Sequence, residues 1–131
     1  MTQVSNTNKA KIDCTRDNVC ENWLRLTKEL HGLSEAEIML ASKFLNKRIE
    51  LKEKILDEDL LEEYLQSTKV RMGIKEAANV KNMGLFQNMM SALRRKGFFT
   101  EGDRINKVFI PNISSESKFL KVEFILKIND E

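Results

Sequence analysis

The side chains best suited to chemistry in this chain are basic and amide groups between residues 67 and 107. This stretch holds nine Lys or Arg against three Asp or Glu, a net charge of +6, whereas the whole chain carries +2. Lysine and arginine neutralise phosphate charge, and the amides of Asn and Gln can pair with the edge of adenine. The pattern therefore predicts a surface for an anionic partner; the alternative is a solvated basic face.

Twelve side chains form the predicted DNA-contacting set, in which basic groups would contact phosphates and polar groups would contact base edges. They are Lys69, Arg71, Lys75, Lys81, Asn82, Gln87, Asn88, Ser91, Arg94, Arg95, Arg104 and Lys107. Gln87 and Asn88 are the members suited to adenine, whereas Met83 and Gly84 beside them offer nothing to a base.

Other reactive residue types are too few or too scattered to predict catalysis or metal binding. His31 is the only histidine, and Cys14 and Cys20 lack the further ligands of a zinc set, so we expect both to be thiols. The acidic residues between positions 53 and 63 are interpreted as a solvated face. We therefore expect a protein that binds without catalysis and carries no cofactor and no metal.

Apolar spacing and capping signals predict five helices that would position the basic residues. A capping box at Ser34–Glu37 marks the start of the second helix. The predicted segments are Asn18–Leu30, a long helix from Glu35, a short helix after Asp59, Lys69–Ala78 and Met83–Lys96. Residues 79–82 are predicted to form the turn between the last two. Apolar stripes predict that Leu30 on the first helix and Leu85 and Phe86 on the last face the core.

After Gly97 the apolar period changes from about 3.6 to 2, which is typical of strands. Phe98–Thr100 and Arg104–Ile110, separated by a glycine turn, predict a β-hairpin. Residues 118–128 alternate apolar and polar side chains over their whole length, which predicts a long C-terminal strand. The expected fold class is therefore α+β.

Residues 67–111 resemble a winged helix-turn-helix domain. The match rests on the helix pair, on "LRRKGFF" (Leu93–Phe99) and on "INKVFIPNI" (Ile105–Ile113), which resemble the exit into the wing in plasmid replication initiators of the RepL type. The resemblance implies that Met83–Lys96 is the recognition helix and that the protein binds duplex DNA, as a regulator or a replication accessory. More loosely, the chain resembles small proteins of tailed, crAss-like Bacteroides phages, which implies the alternative of a virion subunit in a neck or head–tail connector.

The expected organisation is a flexible N-terminal arm, residues 1–17, followed by one winged-helix domain, residues 18–131. An open strand edge invites pairing with another chain, so the arm or strand 118–128 is expected to form contacts with protein partners or with other copies. No apolar stretch approaches the length of a membrane span. We expect a cytoplasmic location, in the host cytoplasm or the virion if the chain is phage-encoded.

Overall fold

The computed structural model describes residues 2–4 and 9–130. Within this part of the chain there are six α-helices and one pair of short strands. The helices are α1 (Val19–Leu26), α2 (Lys28–His31), α3 (Glu35–Lys52), α4 (Glu58–Leu65), α5 (Thr68–Ala77) and α6 (Met83–Arg95). The strands are β1 (Thr2–Val4) and β2 (Ala10–Ile12), which pair antiparallel.

Four of the helices begin at a side chain that accepts a hydrogen bond from an otherwise unpaired amide of the first turn. Asp57 caps α4, Ser67 caps α5 and Asn82 caps α6. At α3 the predicted capping box is confirmed, since the Ser34 hydroxyl accepts from the Glu37 amide and the Glu37 carboxylate accepts from the Ser34 amide. The chain between α5 and α6 is a turn, as predicted, with Asn79 in the left-handed region.

Helix α3 lies at the centre of the fold and packs against α1, α4, α5 and α6. Phe44 on α3 is fully buried and meets Phe99 edge to face, with ring centroids 5.1 Å apart. Phe86 on α6 is also buried, as its apolar stripe predicted, but Leu85 beside it is 46% exposed. The core thus joins the helices to the chain that follows α6.

The first predicted helix, Asn18–Leu30, is divided in the structure. Helix α1 ends at Leu26, and α2 begins two residues later. The Thr27 hydroxyl donates to the Trp23 carbonyl, and a ring nitrogen of His31 contacts the Leu24 carbonyl. Side chains therefore provide hydrogen-bond partners for carbonyls in the last turn of α1. Leu30, expected on the apolar stripe, is 78% exposed because of this break.

The predicted winged helix, with its β-hairpin wing, is wrong. Only Phe99 and Ile105 form an isolated bridge in this region. A short 3₁₀ turn at Glu101–Asp103 occupies the predicted glycine turn, a second at Lys107–Phe109 lies within the second predicted strand, and both Phe98 and Phe99 are buried. Neighbouring residues of a strand point to opposite faces, so two adjacent buried phenylalanines do not suit a hairpin with one solvated face.

The predicted long C-terminal strand is also wrong. Residues 118–130 have no regular secondary structure, although their apolar and polar residues alternate. Alternation makes a segment suitable for a sheet, but a strand also needs a partner for its backbone hydrogen bonds. Among the described residues, only the pair β1–β2 provides a ladder.

The strands β1 and β2 lie within residues 1–17, the stretch predicted as a flexible arm. Three residue pairs connect them: Thr2 with Ile12, Gln3 with Lys11 and Val4 with Ala10. All three residues of β2 are exposed. The arm prediction also covers residues 1 and 5–8, which lie outside the described residues.

Candidate functional site

The twelve predicted DNA-contacting residues are spread over four consecutive segments. Helix α5 carries Lys69, Arg71 and Lys75, and the following turn carries Lys81 and Asn82. Helix α6 carries Gln87, Asn88, Ser91, Arg94 and Arg95, and the chain beyond it carries Arg104 and Lys107. Lys69, Lys81, Gln87, Asn88, Arg95 and Lys107 are well exposed, whereas Arg71, Lys75 and Ser91 are half-buried.

Arg94 is committed to an internal ion pair. Its Nε and one terminal nitrogen donate to the two carboxylate oxygens of Asp103, at 2.6 and 2.8 Å. The hydrogen bond from Arg94 and the nearby charge of Arg71 hold the pKa of Asp103 below its usual value, although partial burial opposes the shift. The same pair raises the pKa of Arg94. A two-pronged contact of this kind fixes the guanidinium against the protein instead of offering it to a ligand.

Arg104 and Arg71 are also turned toward the protein. Arg104 donates to the carboxylate of Asp59 on α4 at 2.9 Å. The Nε atom of Arg71 is buried and has no hydrogen-bond partner among the described residues. The Gln66 amide donates to the Asp103 carbonyl, so Gln66, Arg71, Arg94 and Asp103 form one polar cluster between α4, α5, α6 and the chain after α6.

Asn82 is used as a helix cap. Its side-chain oxygen accepts from the Leu85 amide at 2.8 Å, so the atom that would pair with a base holds the first turn of α6. Next to it on the first turn of α6, Met83 and Leu85 are 44% and 46% exposed. The start of the predicted recognition helix therefore presents apolar side chains, with Gln87 and Asn88 as its exposed amides.

A buried ion-pair network between α3 and α4 was missed by sequence reasoning. The prediction that the acidic residues between positions 53 and 63 form a solvated face is wrong for Glu62, which is 3% exposed. The Arg48 side chain is 7% exposed; its Nε donates to Glu62 at 3.0 Å and a terminal nitrogen donates to Glu58 at 2.5 Å. The second oxygen of Glu62 accepts from the Ile105 amide at 2.9 Å. Arg48 follows Phe44 and precedes Leu51 on the apolar stripe of α3, and a charged residue in such a stripe signals a buried partner.

Lys96, the residue after α6, contacts the start of α3. Its ammonium group donates to Glu37 at 2.6 Å and to the Gly32 carbonyl at 3.1 Å. Burial alone would raise the pKa of Glu37, but hydrogen bonds from Lys96 and from the Ser34 amide hold it below its usual value. The positive charge of Lys96 is therefore paired within the fold, like that of Arg94.

A groove of about 510 Å³ lies between α3 and α5. Lys43 and Lys47 line it from α3 and Lys69 from α5, and its floor includes Val70 and Ile74. Lys47 is 3.3 Å from Glu50, which also lines the groove, so part of the positive charge is neutralised locally.

His31 and the cysteines have structural surroundings. One ring nitrogen of His31 is 2.8 Å from the Leu24 carbonyl, and the other accepts from the Leu33 amide at 3.0 Å, so both nitrogens are occupied. Cys20 is buried, which raises the pKa of its thiol to about 12, and Cys14 is exposed. In residues 2–4 and 9–130, no three His, Cys, Asp or Glu side chains are grouped as metal ligands would be.

The C-terminal segment, residues 118–128, is the other surface suited to binding. Five of its large apolar side chains are between 55% and 91% exposed: Phe119, Phe124, Ile125, Leu126 and Ile128. Just before it, the Arg16 guanidinium donates to the carbonyls of Ser114, at 2.9 Å, and Ser117. Arg16 thereby holds the start of the segment beside the base of the N-terminal arm.

Comparison with protein-family models, with curated proteins and with solved structures gave no match. Among the described residues, no helix combines the length and the apolar character that crossing a membrane requires. The candidate surfaces are therefore judged from their own chemistry.

Replacing Arg94 should affect folding, whereas replacing its neighbour Arg95 should not. We expect Arg94→Gln to lower the free energy of unfolding by about 1 kcal/mol at neutral pH, because the pair with Asp103 is two-pronged but partly exposed. Arg95→Gln, the matched control on an exposed side chain, should change it by less than about 0.5 kcal/mol. Urea unfolding measures both.

The difference in the free energy of unfolding between the wild type and Arg94→Gln should depend on pH. A carboxylate whose folded pKa is depressed stabilises the fold above its unfolded pKa of about 3.9, and this contribution is lost as the pH falls through the folded pKa. The stabilities of wild type and Arg94→Gln should therefore converge in acid. Equal stability of both proteins at neutral pH would contradict the assignment.

Proposed function

We propose that this protein is a non-enzymatic subunit of a protein assembly, and that it docks through the C-terminal segment. The observation that carries the proposal is the exposure of five large apolar side chains between Phe119 and Ile128. Isolated exposed apolar residues are ordinary, but five within ten residues of one segment indicate a site of interaction. Burial of each such side chain contributes roughly 1.5–3 kcal/mol.

The distribution of charge supports the same proposal. Arg94 and Arg104, two of the four arginines in the predicted DNA-contacting set, bind carboxylates of the same chain. These carboxylates offset part of the positive charge that each guanidinium could offer to a phosphate. Among the described residues, the apolar C-terminal segment is then the most distinctive exposed surface.

The resemblance to proteins of tailed Bacteroides phages gives the proposal a biological setting. In a virion neck or head–tail connector, the C-terminal segment would bind a neighbouring copy of the subunit. The C-terminal segment of this chain has the length and composition for such a contact.

Sedimentation velocity over a range of protein concentrations tests the proposal. The wild type should associate as its concentration rises, and Leu126→Asp/Ile128→Asp should remain folded but fail to associate, because two charges would have to be buried at the contact. Leu30→Asp/Leu56→Asp makes the same change at positions that are 78% and 88% exposed on α2 and after α3, and should associate like the wild type. A wild type that stays monomeric throughout would contradict the proposal.

Contact with duplex DNA is a second candidate, favoured by the net charge of +6 in residues 67–107. The contact would use the exposed basic side chains Lys69, Lys81, Arg95 and Lys107, with Gln87 and Asn88 on α6 nearest to base edges. It requires no wing.

Duplex binding should then depend on these side chains and on salt. Lys81→Ala/Arg95→Ala should weaken binding of a random-sequence duplex, whereas Lys28→Ala/Lys54→Ala, an equal loss of exposed charge elsewhere, should change it little. The wild-type affinity should fall steeply between about 50 and about 200 mM salt. Absence of duplex binding at the lower salt concentration would exclude this candidate.

A further inference from the structure

We propose that the C-terminal segment of one copy adds as a third strand to the β1–β2 hairpin of a second copy. This inference rests on the proposed function, because it names the surface that receives the segment. It commits to a second copy as the partner, since the chain itself supplies both halves of the contact.

The hairpin is the first half. Strands β1 and β2 share only three residue pairs, and a hairpin of two short strands is marginally stable by itself in water. Every residue of β2 is exposed, so this strand is not buried against the helices. A third strand would provide backbone partners at an open edge and cover one face of the pair.

The C-terminal segment is the second half. Its residues alternate as those of a strand do, with Leu120, Val122, Phe124, Leu126 and Ile128 on one face. Leu120 and Val122 are half-buried, but the last three are exposed, and the segment forms no ladder with any of residues 2–4 and 9–130. It has the side-chain pattern of a strand and lacks a neighbouring strand, which the hairpin would supply.

Arg16 places the two halves at one position on the molecule. It lies four residues after the end of β2, and its hydrogen bonds to the carbonyls of Ser114 and Ser117 fix the chain just before the segment. When two copies meet at this side about a two-fold axis, the segment of each can reach the hairpin of the other. Such a reciprocal exchange uses both open surfaces and closes on itself.

The charges restrict the register of this pairing, because the segment carries Lys118, Lys121 and Lys127 as well as Glu123, and like charges on facing strands destabilise a pair. β2 presents Lys11, with Lys9 just before it, and both are exposed. Glu123 is the only acidic residue between positions 118 and 128 and lies at the middle of the segment. Opposite charges on facing strands stabilise a pair, so Glu123 is the expected partner of one of these lysines.

Disulfide trapping tests the contact directly, because Cys14 lies exposed two residues after β2. Wild-type chain is mixed with size-tagged chains that carry Cys14→Ser and one new cysteine, from the series Lys121→Cys, Val122→Cys, Glu123→Cys, Phe124→Cys and Ile125→Cys. We expect disulfides between tagged and untagged chains, formed preferentially at every second position, because successive side chains of a strand point to opposite faces. Cys20 is buried and should remain unreacted.

A backbone variant separates strand pairing from side-chain docking. Lys11→Pro removes the amide hydrogen and fixes the backbone in β2, whereas Lys11→Ala removes only the side chain. If the segment adds to this hairpin, Lys11→Pro should abolish association and Lys11→Ala should only weaken it. The helices should be unaffected in both, as far-ultraviolet circular dichroism would show.

The outcomes separate this inference from the proposed function. Association that survives Lys11→Pro, with no preferred disulfide to Cys14, would show that the segment docks elsewhere; the inference would fall and the assembly function would stand. A single chain that carries both Cys14 and Glu123→Cys provides the matching control. A disulfide that forms within this chain, with none between tagged and untagged chains, would also overturn the inference, because the segment would then add to its own hairpin. A wild type that never associates would remove both.

Discussion

The buried guanidinium of Arg48 is the interaction on which the arrangement of the other elements depends. A charge in the core must be paired, because the loss of one partner leaves an uncompensated buried charge at a cost of roughly 3–5 kcal/mol. Glu62, on α4, accepts from Arg48 with one carboxylate oxygen, and its other oxygen accepts from the Ile105 amide. One side chain thus fixes α3, α4 and the chain after α6 relative to each other, and with them the path that leads to the C-terminal segment.

Basic side chains in residues 67–107 also form ion pairs within the fold. Asp103 and Asp59 bind Arg94 and Arg104, and Glu37 binds Lys96. Counting charges along the sequence predicts that these lysines and arginines form a basic surface. In the structure, carboxylates of the same chain neutralise part of that charge. The surface that remains is weaker than the sequence indicates, whereas the apolar C-terminal segment is more exposed than a strand in a sheet would be.

Local signals in the sequence predicted local structure well. The box at Ser34, the turn after Ala78 and the burial of Phe86 all depend on residues a few positions apart, so the sequence contains them directly. The wing was predicted wrongly because tertiary contacts determine this region: Phe98 and Phe99 are both buried, and the Ile105 amide donates to Glu62, 43 positions away. The network of Arg48 was missed for the same reason, although a charged residue in the apolar stripe of α3 could have indicated it.

Amide hydrogen exchange of the full chain, measured by mass spectrometry at increasing protein concentration, tests the central claim most directly. If the C-terminal segment is the docking element and β1–β2 receives it, the amides of residues 118–128 and of β2 should exchange quickly in dilute protein and become protected together as the concentration rises. The helices should be equally protected at both extremes. Rapid exchange of residues 118–128 at every concentration, with the helices protected throughout, would contradict the account.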